Sequence, residues 1–482
     1  MSAFPSRCVL ALWLASVVSA CAPEARLDRP DTALPAAFEA PGAAASSLSL
    51  DQWWSAFHDA QLDALVAAAL SRSTTARLAY ARIAEARAVR AQTRAGTFPS
   101  GDISGSATEQ GTRRAWGAGL TQPGYGSAQI GFAPSWEIDL FGRLAKIRRQ
   151  ADLTDASATL DFSGTRLALV ADVATDLVQA RFLATQLLDA QDSLRIAQDL
   201  ARSGAAGEAH GLTSTQDAAQ LAADEAAAEA QVAQLAANLT VAKRRLLILT
   251  GDAIASTDTL AIAPVLDPPP SVPAETPGVL LMRRPDVLAS QVALQSAALK
   301  VRIDRLALFP RFTIQSNVGL SATQSSPAAL IAAGGTGLWS VAAGLALPVL
   351  DRTALIANLR ISQAQGQEAV ITYEQTVQNA YGEAENALTN VATDQARVGQ
   401  LDRATTSARI AFDAARRGYA VGLTDLTTLL QVERSWLQDR SALNGARAAL
   451  LTDTIGAIRA FGGGWQPTSA DNIAPPTGSG QH

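Results

Sequence analysis

The placement of proline limits the possible folds of this chain more than any other feature. No proline occurs in residues 135–263 or 349–466, stretches of 129 and 118 residues. Within both stretches, small and aliphatic residues recur at alternating spacings of three and four, the heptad pattern of a coiled coil. A helix of roughly 60 residues would be about 90 Å long, so the pattern predicts long paired helices. The first series is Val170, Val173, Leu177, Ala180, Ala184, Leu187 and Leu194, and the second is Val370, Tyr373, Val377, Ala380, Ala384, Ala387 and Val391.

A Gly-Leu-Thr turn occurs once in each proline-free stretch. Its glycines are Gly207 and Gly211 in the first stretch, and they recur 211 residues later as Gly418 and Gly422. Glycine adopts φ > 0 without steric cost, so these residues suit a helix end followed by a tight turn. The sequence therefore predicts that each stretch is a helical hairpin with its glycines, at positive φ, forming the tip.

Other landmarks repeat with nearly the same offset. Phe98-Pro99 recurs as Phe309-Pro310, again 211 residues later, and Leu140–Arg143 resembles Val349–Arg352, 209 residues later. Such a long period indicates duplication of a whole structural unit. We assign residues 51–263 to repeat 1 with a hairpin over 143–250, residues 264–285 to a proline-rich linker, residues 286–465 to repeat 2 with a hairpin over 352–463, and residues 466–482 to a tail.

Between the hairpins the apolar spacing changes to two. Ile130, Phe132, Trp136 and Ile138 alternate with small or polar residues, and three further segments follow the same pattern, the first of them weakly. Segments of about ten alternating residues are typical of strands in membrane barrels, although a soluble sheet with one wet face would also fit. Trp136 and Trp339 suit either a membrane-interface belt or a strand core. The predicted strands cover about residues 101–112, 128–139, 311–322 and 338–350.

Four strands are too few to close a barrel, because the smallest membrane barrels have about eight. Open strand edges in lipid would leave backbone groups unpaired, at several kcal/mol each. If the chain spans a membrane, it must therefore associate with further copies. The predicted fold class is α+β, mostly α, with two tandem repeats that each contain a long coiled-coil hairpin and two strands.

The N-terminus has the layout of an exported lipoprotein. Residues 1–20 carry Arg7, an apolar run and then small residues directly before Cys21, as in a secretory signal. Val18–Cys21 resembles the lipobox, after which Cys21 would be acylated and residues 21–50 would form a poorly ordered, lipidated tail. An ordinary signal peptide that contains a cysteine is the alternative. Residue 22 is alanine rather than the aspartate associated with inner-membrane retention, which indicates the outer membrane.

A set of short motifs, in order and on the internal repeat, resembles the TolC-type outer membrane factors. Within that family the chain is most similar to the OprM/NodT-type lipoproteins of tripartite, RND-type efflux systems. The resemblance runs from about Trp53 to Trp465. Its landmarks are WWSAFHDAQLDALV, FPSGDISGSA, WEIDLFGRL, LLMRRPDVLAS, LFPRFTI, PVLDRTALI, RGYAVGLTDL and FGGGWQ.

This resemblance implies a homotrimer in the outer membrane that extends into the periplasm. Its strands would form one barrel of about twelve strands, continued by an α-helical tunnel. A periplasmic adaptor (membrane fusion protein) and an inner-membrane transporter would supply drugs or other small molecules. The duct itself would carry out no reaction and need no cofactor apart from the lipid on Cys21.

The resemblance also implies a periplasmic gate near the hairpin tips. Asp217, Tyr419 and Arg434 match family gate residues, whereas Thr428 and Gln431 stand where family members carry acidic residues. Each candidate has a structural alternative. Asp217 could cap a helix as the third residue after Ser214, Tyr419 could pack on a neighbouring helix, and Arg434 could be an ordinary ion-paired residue.

Composition argues against other classes of function. A net charge of −5 and a pI near 5.4, with no basic face evident, are unlike a nucleic-acid-binding protein. The three histidines do not form a metal cluster with cysteine, and no catalytic motif spacing occurs, so we predict that the chain is not an enzyme. A lipid-anchored periplasmic coiled-coil scaffold or adaptor without a pore is the alternative, although it leaves the alternating strands unexplained.

Overall fold

The computed structural model of the chain describes residues 28–40, 50–110, 125–272, 276–324 and 336–463. The predicted signal segment, Cys21 and the predicted tail over 466–482 lie outside the described residues. After a 3-10 helix, the same order of elements occurs twice: two helices, two strands and two long helices. The elements are α1 (Ala60–Arg72), α2 (Thr74–Ala95), β1 (Ser100–Gln110), β2 (Tyr125–Ile138), α3 (Arg143–Ala209), α4 (Thr215–Leu249), α5 (Pro277–Arg283), α6 (Pro285–Leu306), β3 (Arg311–Gln324), β4 (Thr336–Ala346), α7 (Arg352–Ala420) and α8 (Leu426–Ala460).

Most equivalent elements of the two halves begin at the same offset. Strands β1 and β3 begin at Ser100 and Arg311, and β2 and β4 begin at Tyr125 and Thr336. Both separations equal the offset between the two Gly-Leu-Thr turns, and α8 likewise begins and ends at that offset from α4. The long helices α3 and α7 begin at the two arginine landmarks of the repeat. The predicted tandem repeat and the mostly α fold class are therefore confirmed.

The second repeat begins earlier than its predicted boundary. Helix α5 occupies Pro277–Arg283, inside the predicted linker 264–285, and is the counterpart of α1. The density of prolines in the linker suggested irregular chain. Pro277 is instead the first residue of the helix, where a missing N–H removes no intrahelical hydrogen bond.

The four strands form one antiparallel sheet in the order β1-β2-β3-β4, so both repeats contribute to it. Strand β2 begins three residues earlier than the predicted 128. Strand β4 ends at Ala346 instead of continuing to 350, because Pro348 cannot donate to a strand ladder.

The described chain divides into two compact units. The first contains the sheet, the second half of α2 and most of α6. Its small core consists of Val301, Leu308 and Leu359, with Leu355 and Ile356 packed against it. The second unit contains both hairpin tips and a larger core, in which residues of α1, α3, α4, α7 and α8 pack around Trp53 and Phe461.

Most of the heptad positions of the long helices are buried. In α3, Val170, Val173, Leu177 and Ala180 are each at most 2% exposed. In α7 the members from Val370 to Ala384 are also buried. Alanine at several of these positions allows neighbouring helices to approach closely. No helix in the described ranges combines the length and the apolar character that a membrane-spanning helix needs.

Part of the N-terminal region predicted to be a poorly ordered tail is docked. Residues 31–40 contain neither helix nor strand, yet their backbone hydrogen-bonds side chains of α7. Three prolines, at 30, 35 and 41, suggested an irregular tail. Proline also favours an extended chain that can lie along a helix.

Candidate functional site

The sheet presents a continuous apolar row across all four strands. Ile103 pairs with Phe132, Phe132 with Val318, and Val318 with Trp339. These side chains are 76%, 44%, 58% and 79% exposed, respectively, in the single chain. Since a soluble sheet buries its apolar face, four large exposed side chains in one row indicate a face that meets something other than water.

Successive residues of a strand point to opposite faces of the sheet. Most of the remaining side chains therefore fall into an apolar set, on the face that carries this row, and a polar set on the other face. Leu338 is an exception on the polar face, and Glu109 and Ser316 are exceptions on the apolar face. The apolar face also carries Ile130, Trp136, Ile138, Phe312, Ile314, Leu320, Val341 and Leu345. The polar face carries Asp102, Ser104, Ser106, Thr108, Ser127, Gln129, Ser135, Glu137, Thr313, Gln315, Asn317, Ser321, Thr336 and Ser340.

The two tryptophans suggested for an interface belt lie on the apolar face but in different rows. Trp136 pairs with Ile314, which pairs with Ala343. Trp339 lies four residues from Ala343 in β4, so the backbones of the two tryptophans are roughly 13 Å apart along the strand direction. Their membership of a membrane-interface belt stays a prediction.

The two hairpin tips have the same backbone geometry. Gly211 has φ +69° and Gly422 has φ +75°, in the region that glycine adopts without strain. The backbone N–H of the following leucine donates to the carbonyl of Gly207 in the first tip, at 2.7 Å, and to that of Gly418 in the second, at 2.8 Å. Leu212 and Leu423 themselves are each 85% exposed.

Gly207 and Gly418 have a different role from the positive φ that we expected for them. Both lie inside the last turn of a long helix. A Cβ atom at Gly207 would lie 2.2 Å from Oγ1 of Thr213, and one at Gly418 would lie 2.3 Å from Oγ1 of Thr424. Glycine is thus favoured at these two positions because the threonine of the turn folds back onto the helix.

The returning helices are capped by different residues. Oγ of Ser214 accepts a hydrogen bond from the backbone N–H of Asp217 at 3.0 Å, which leaves Asp217 in the first turn of α4 with an exposed side chain. In the second tip Asp425 is the cap and accepts from the backbone N–H of Thr428 at 2.8 Å. Both arrangements satisfy free N–H groups at a helix N-terminus.

The other two gate candidates have different surroundings. Tyr419 is half-buried and packs against a cluster formed by Phe412, Leu429 and Trp436. Arg434 is 63% exposed and pairs with Asp224 of α4, with 3.3 Å between Nη2 and Oδ1. Among the contacts of the described residues, none joins Asp217, Tyr419 and Arg434 to one another within a chain.

A buried carboxyl group next to Arg434 was missed in the sequence. Glu433 is 7% exposed, and burial raises its pKa to about 7, with a further upward contribution from Asp224 and an opposing one from Arg434. Oδ2 of Asp224 is buried and accepts no hydrogen bond from the described residues. Only the neighbouring Arg434 was visible as a motif, because a buried acid on a helix carries no sequence signature.

Trp436 forms the centre of a second missed cluster. Its ring stacks on Phe412 with centroids 4.9 Å apart, while the guanidinium groups of Arg409 and Arg440 lie 5.6 and 5.5 Å from its centroid. Arg440 also forms an ion pair with Asp189 of α3. These contacts join three long helices near the tips. The described residues contain no group of three or more His, Cys, Asp or Glu side chains arranged to hold a metal ion.

Comparison with known proteins agrees with this geometry. The family model described as "Outer membrane efflux protein" matches the chain twice, over residues 65–252 and 276–463. The second match begins and ends at the offset of the internal repeat from the first.

Individual relatives and a solved structure match over most of their length. OpmQ of Pseudomonas putida, a pyoverdine export outer membrane protein, is 28% identical over 449 residues, which cover 90% of this chain and 93% of the relative. TtgC, a toluene efflux pump outer membrane protein from another strain of the same species, is 27% identical over 86% of this chain and 85% of its own. The structure of the outer-membrane channel OprN is 27% identical with a TM-score of 0.79 and covers 93% of this chain and 100% of that one.

The tandem family match, the amphipathic sheet and the paired hairpin tips lead to one conclusion: this chain belongs to the outer membrane efflux protein family.

Proposed function

We propose that this chain is the outer-membrane exit duct of a tripartite efflux pump and works as a homotrimer. A periplasmic adaptor and an inner-membrane transporter would deliver the cargo. OpmQ and TtgC, which resemble this chain to nearly the same degree, are named for pyoverdine and toluene, two chemically different molecules. We therefore propose that the duct passes small molecules that its transporter selects.

The observation that carries this proposal is the exposed apolar face of the sheet. Its large side chains would meet water in a monomer, at a cost of about 1.5–3 kcal/mol for each one that burial would remove from water. Lipid removes that cost, while the serine, threonine and glutamine side chains of the other face suit a water-filled bore.

The edges of the sheet support a trimer. Strands β1 and β4 are its outer strands, and unpaired edge groups in lipid cost several kcal/mol each. Pairing β4 of one copy with β1 of the next would satisfy both edges and close a ring. Two copies would give eight strands, whose interior is filled by side chains, whereas three copies would give about twelve and leave a bore.

Asp217, Tyr419 and Arg434 are our candidates for the periplasmic gate. They lie near the tips of the hairpins, and their separation within one chain requires that any constriction form between copies. With Gln431 and Thr428 at positions that are acidic in other members, we expect a weaker acidic ring. If Asp217 and Tyr419 constrict the tip, replacing both with alanine raises single-channel conductance, whereas unchanged conductance assigns both to structural roles.

We further propose that Cys21 carries the lipid anchor, after removal of residues 1–20, and that residues 21–50 lead from it to the folded chain. Mass spectrometry of the mature N-terminus tests this directly. An acylated Cys21 agrees with the proposal, and an unmodified cysteine or cleavage elsewhere contradicts it.

Adjacent residues of β3 provide a matched test of the sheet. Val318 lies on the apolar face and Asn317 on the polar face. Arginine facing lipid near the bilayer midplane costs about 2–4 kcal/mol per chain, so Val318→Arg should abolish outer-membrane trimers. Asn317→Arg should leave trimers intact and change only conductance. Equal tolerance of the two substitutions would contradict the proposed orientation.

The scaffold alternative predicts a different outcome. Without a pore, the apolar face would not contact lipid, and a cysteine substituted at Phe132 would react efficiently with a membrane-impermeant thiol reagent. Our proposal predicts poor labelling at this position and efficient labelling of a cysteine at Gln315 on the polar face.

A further inference from the structure

The N-terminal segment Asp31–Ala40 is fastened to α7 at both of its ends. The backbone N–H of Asp31 donates to Oε1 of Glu374 at 2.7 Å. At the other end, the N–H of Ala40 donates to Oε1 of Glu385 at 2.6 Å, and that of Glu39 donates to Oε2 at 3.2 Å. Hydrogen bonds to an ionised carboxylate are stronger than those between neutral groups.

An aromatic contact adds to these hydrogen bonds. The ring of Phe38 stacks on Tyr381 of α7, with centroids 5.7 Å apart and planes 11° from parallel. The same ring meets the buried Phe461 edge-on at 5.7 Å. Such pairs stabilise a contact beyond the burial of their surface. Phe38 therefore connects the segment to the hydrophobic core of the second unit.

The receiving residues form a stripe along α7. Glu374, Tyr381 and Glu385 are spaced by seven and four residues, which places them on one side of an α-helix. Glu383 lies on the other side, where its carboxylate pairs with Arg284 at 2.7 Å. Helix α7 is thus held from two sides at the same level.

The segment has the features of a detachable element. It has no strand pairing or helix of its own, and five of its residues between 33 and 39 are exposed. Pro35, in its middle, has no N–H to donate. Its attachment therefore depends mainly on the two glutamates and on Phe38.

We propose that Asp31–Ala40 is a strap that restrains α7, and that its release raises the open probability of the channel. This inference rests on the proposed function. Helix α7 runs without interruption from the strap to Gly418 and Tyr419 at the second tip. A strap that limits rotation of α7 at Glu374 and Glu385 therefore also limits movement of that tip.

The test uses the full-length trimer in two measurements. Hydrogen exchange of the amides of residues 31–40 reports attachment, and single-channel recording reports open probability. In Glu374→Ala/Glu385→Ala, we expect exchange of the three bonded amides to accelerate about tenfold or more, and open probability to rise. Glu368→Ala, which removes an exposed carboxylate of α7 outside the stripe, should change neither quantity.

A second variant distinguishes release of the segment from misfolding of α7. Replacing Asp31–Ala40 with a Gly/Ser segment of equal length leaves α7 unchanged and should also raise open probability. Rapid exchange of the wild-type amides would contradict the strap proposal. Release of the segment without a change in open probability would also contradict it. Neither result would contradict the proposed channel function. Correctly inserted wild-type and variant trimers that do not conduct would defeat the channel function and with it this inference.

Discussion

Substitution of Gly418 by alanine should have an effect whose sign depends on Thr424. Gly418 lies in the last turn of α7, where alanine is intrinsically favoured over glycine by about 1 kcal/mol. The new Cβ would, however, lie 2.3 Å from Oγ1 and 3.3 Å from Cβ of Thr424. Forcing an extra carbon into such a contact costs about 1–3 kcal/mol. The steric cost therefore exceeds the gain in helix propensity in the native chain.

Removal of Oγ1 should reverse this balance. In a Thr424→Ala background the 2.3 Å contact is absent and the remaining 3.3 Å contact needs only a small shift. Gly418→Ala should then be neutral or stabilising by up to about 1 kcal/mol. The first tip offers the same pair, Gly207 with Thr213, at 2.2 Å.

Hydrogen exchange at the tip measures the effect locally. The amide of Leu423, which donates to the carbonyl of Gly418, exchanges when the turn opens, and each increment of about 1.4 kcal/mol changes its rate about tenfold. We expect faster exchange in Gly418→Ala and recovery in the double variant, while the unaltered first tip serves as an internal control. Acceleration that persists in the Thr424→Ala background would refute the steric explanation, and so would an unchanged rate in the single variant.

Two further predictions concern α8. Since the folded chain holds the proton of Glu433 to about pH 7 whereas the ordinary glutamate pKa is 4.5, stability should fall as pH rises between these values. Glu433→Gln should raise the melting temperature at pH 8, because it increases the free energy of unfolding by at most about 3 kcal/mol. At pH 4 it should have little effect. Equal shifts of the melting temperature at both pH values would contradict the burial of an acid. Trp436→Ala removes a 5% exposed ring stacked on Phe412 and should lower the free energy of unfolding by about 3–5 kcal/mol. The loss should appear as faster amide exchange in α8. As a control, Leu423→Ala, which truncates an exposed side chain, should change that exchange little.

The elements that sequence patterns predicted best are those fixed by local chemistry. The heptad series specifies one buried side of α3 and of α7, because period 3.5 follows directly from helix geometry. The alternating segments likewise specify two sheet faces, although only the register reveals that Ile103, Phe132, Val318 and Trp339 share one row. Register depends on pairing between distant strands, so composition within a strand cannot supply it.

Other features depend on contacts between distant parts of the chain, and these escaped prediction. Glu374 and Glu385 look like ordinary exposed acids of a long helix until the strap is present, because their partners are backbone amides in a remote part of the sequence. Glu433 is similar, since its burial depends on the approach of α4. The glycines of the tips show both cases: positive φ at Gly211 follows from the turn motif, while the role of Gly207 requires the position of Thr213.

The two repeats have kept the same backbone at their tips but not the same side chains. Gly418 and Thr424 have direct counterparts in Gly207 and Thr213. In contrast, the first-repeat counterparts of Phe412, Tyr419, Glu433, Arg434 and Trp436 are Ala201, Glu208, Ala222, Ala223 and Glu225. The aromatic residues of the cluster therefore belong to the second hairpin, while Arg434 and Arg440 pair with Asp224 and Asp189 of the first. These ion pairs are contacts between the hairpins that a change of charge or of pH can weaken. We expect the strap proposed on α7 and these contacts together to set how firmly the second hairpin is attached.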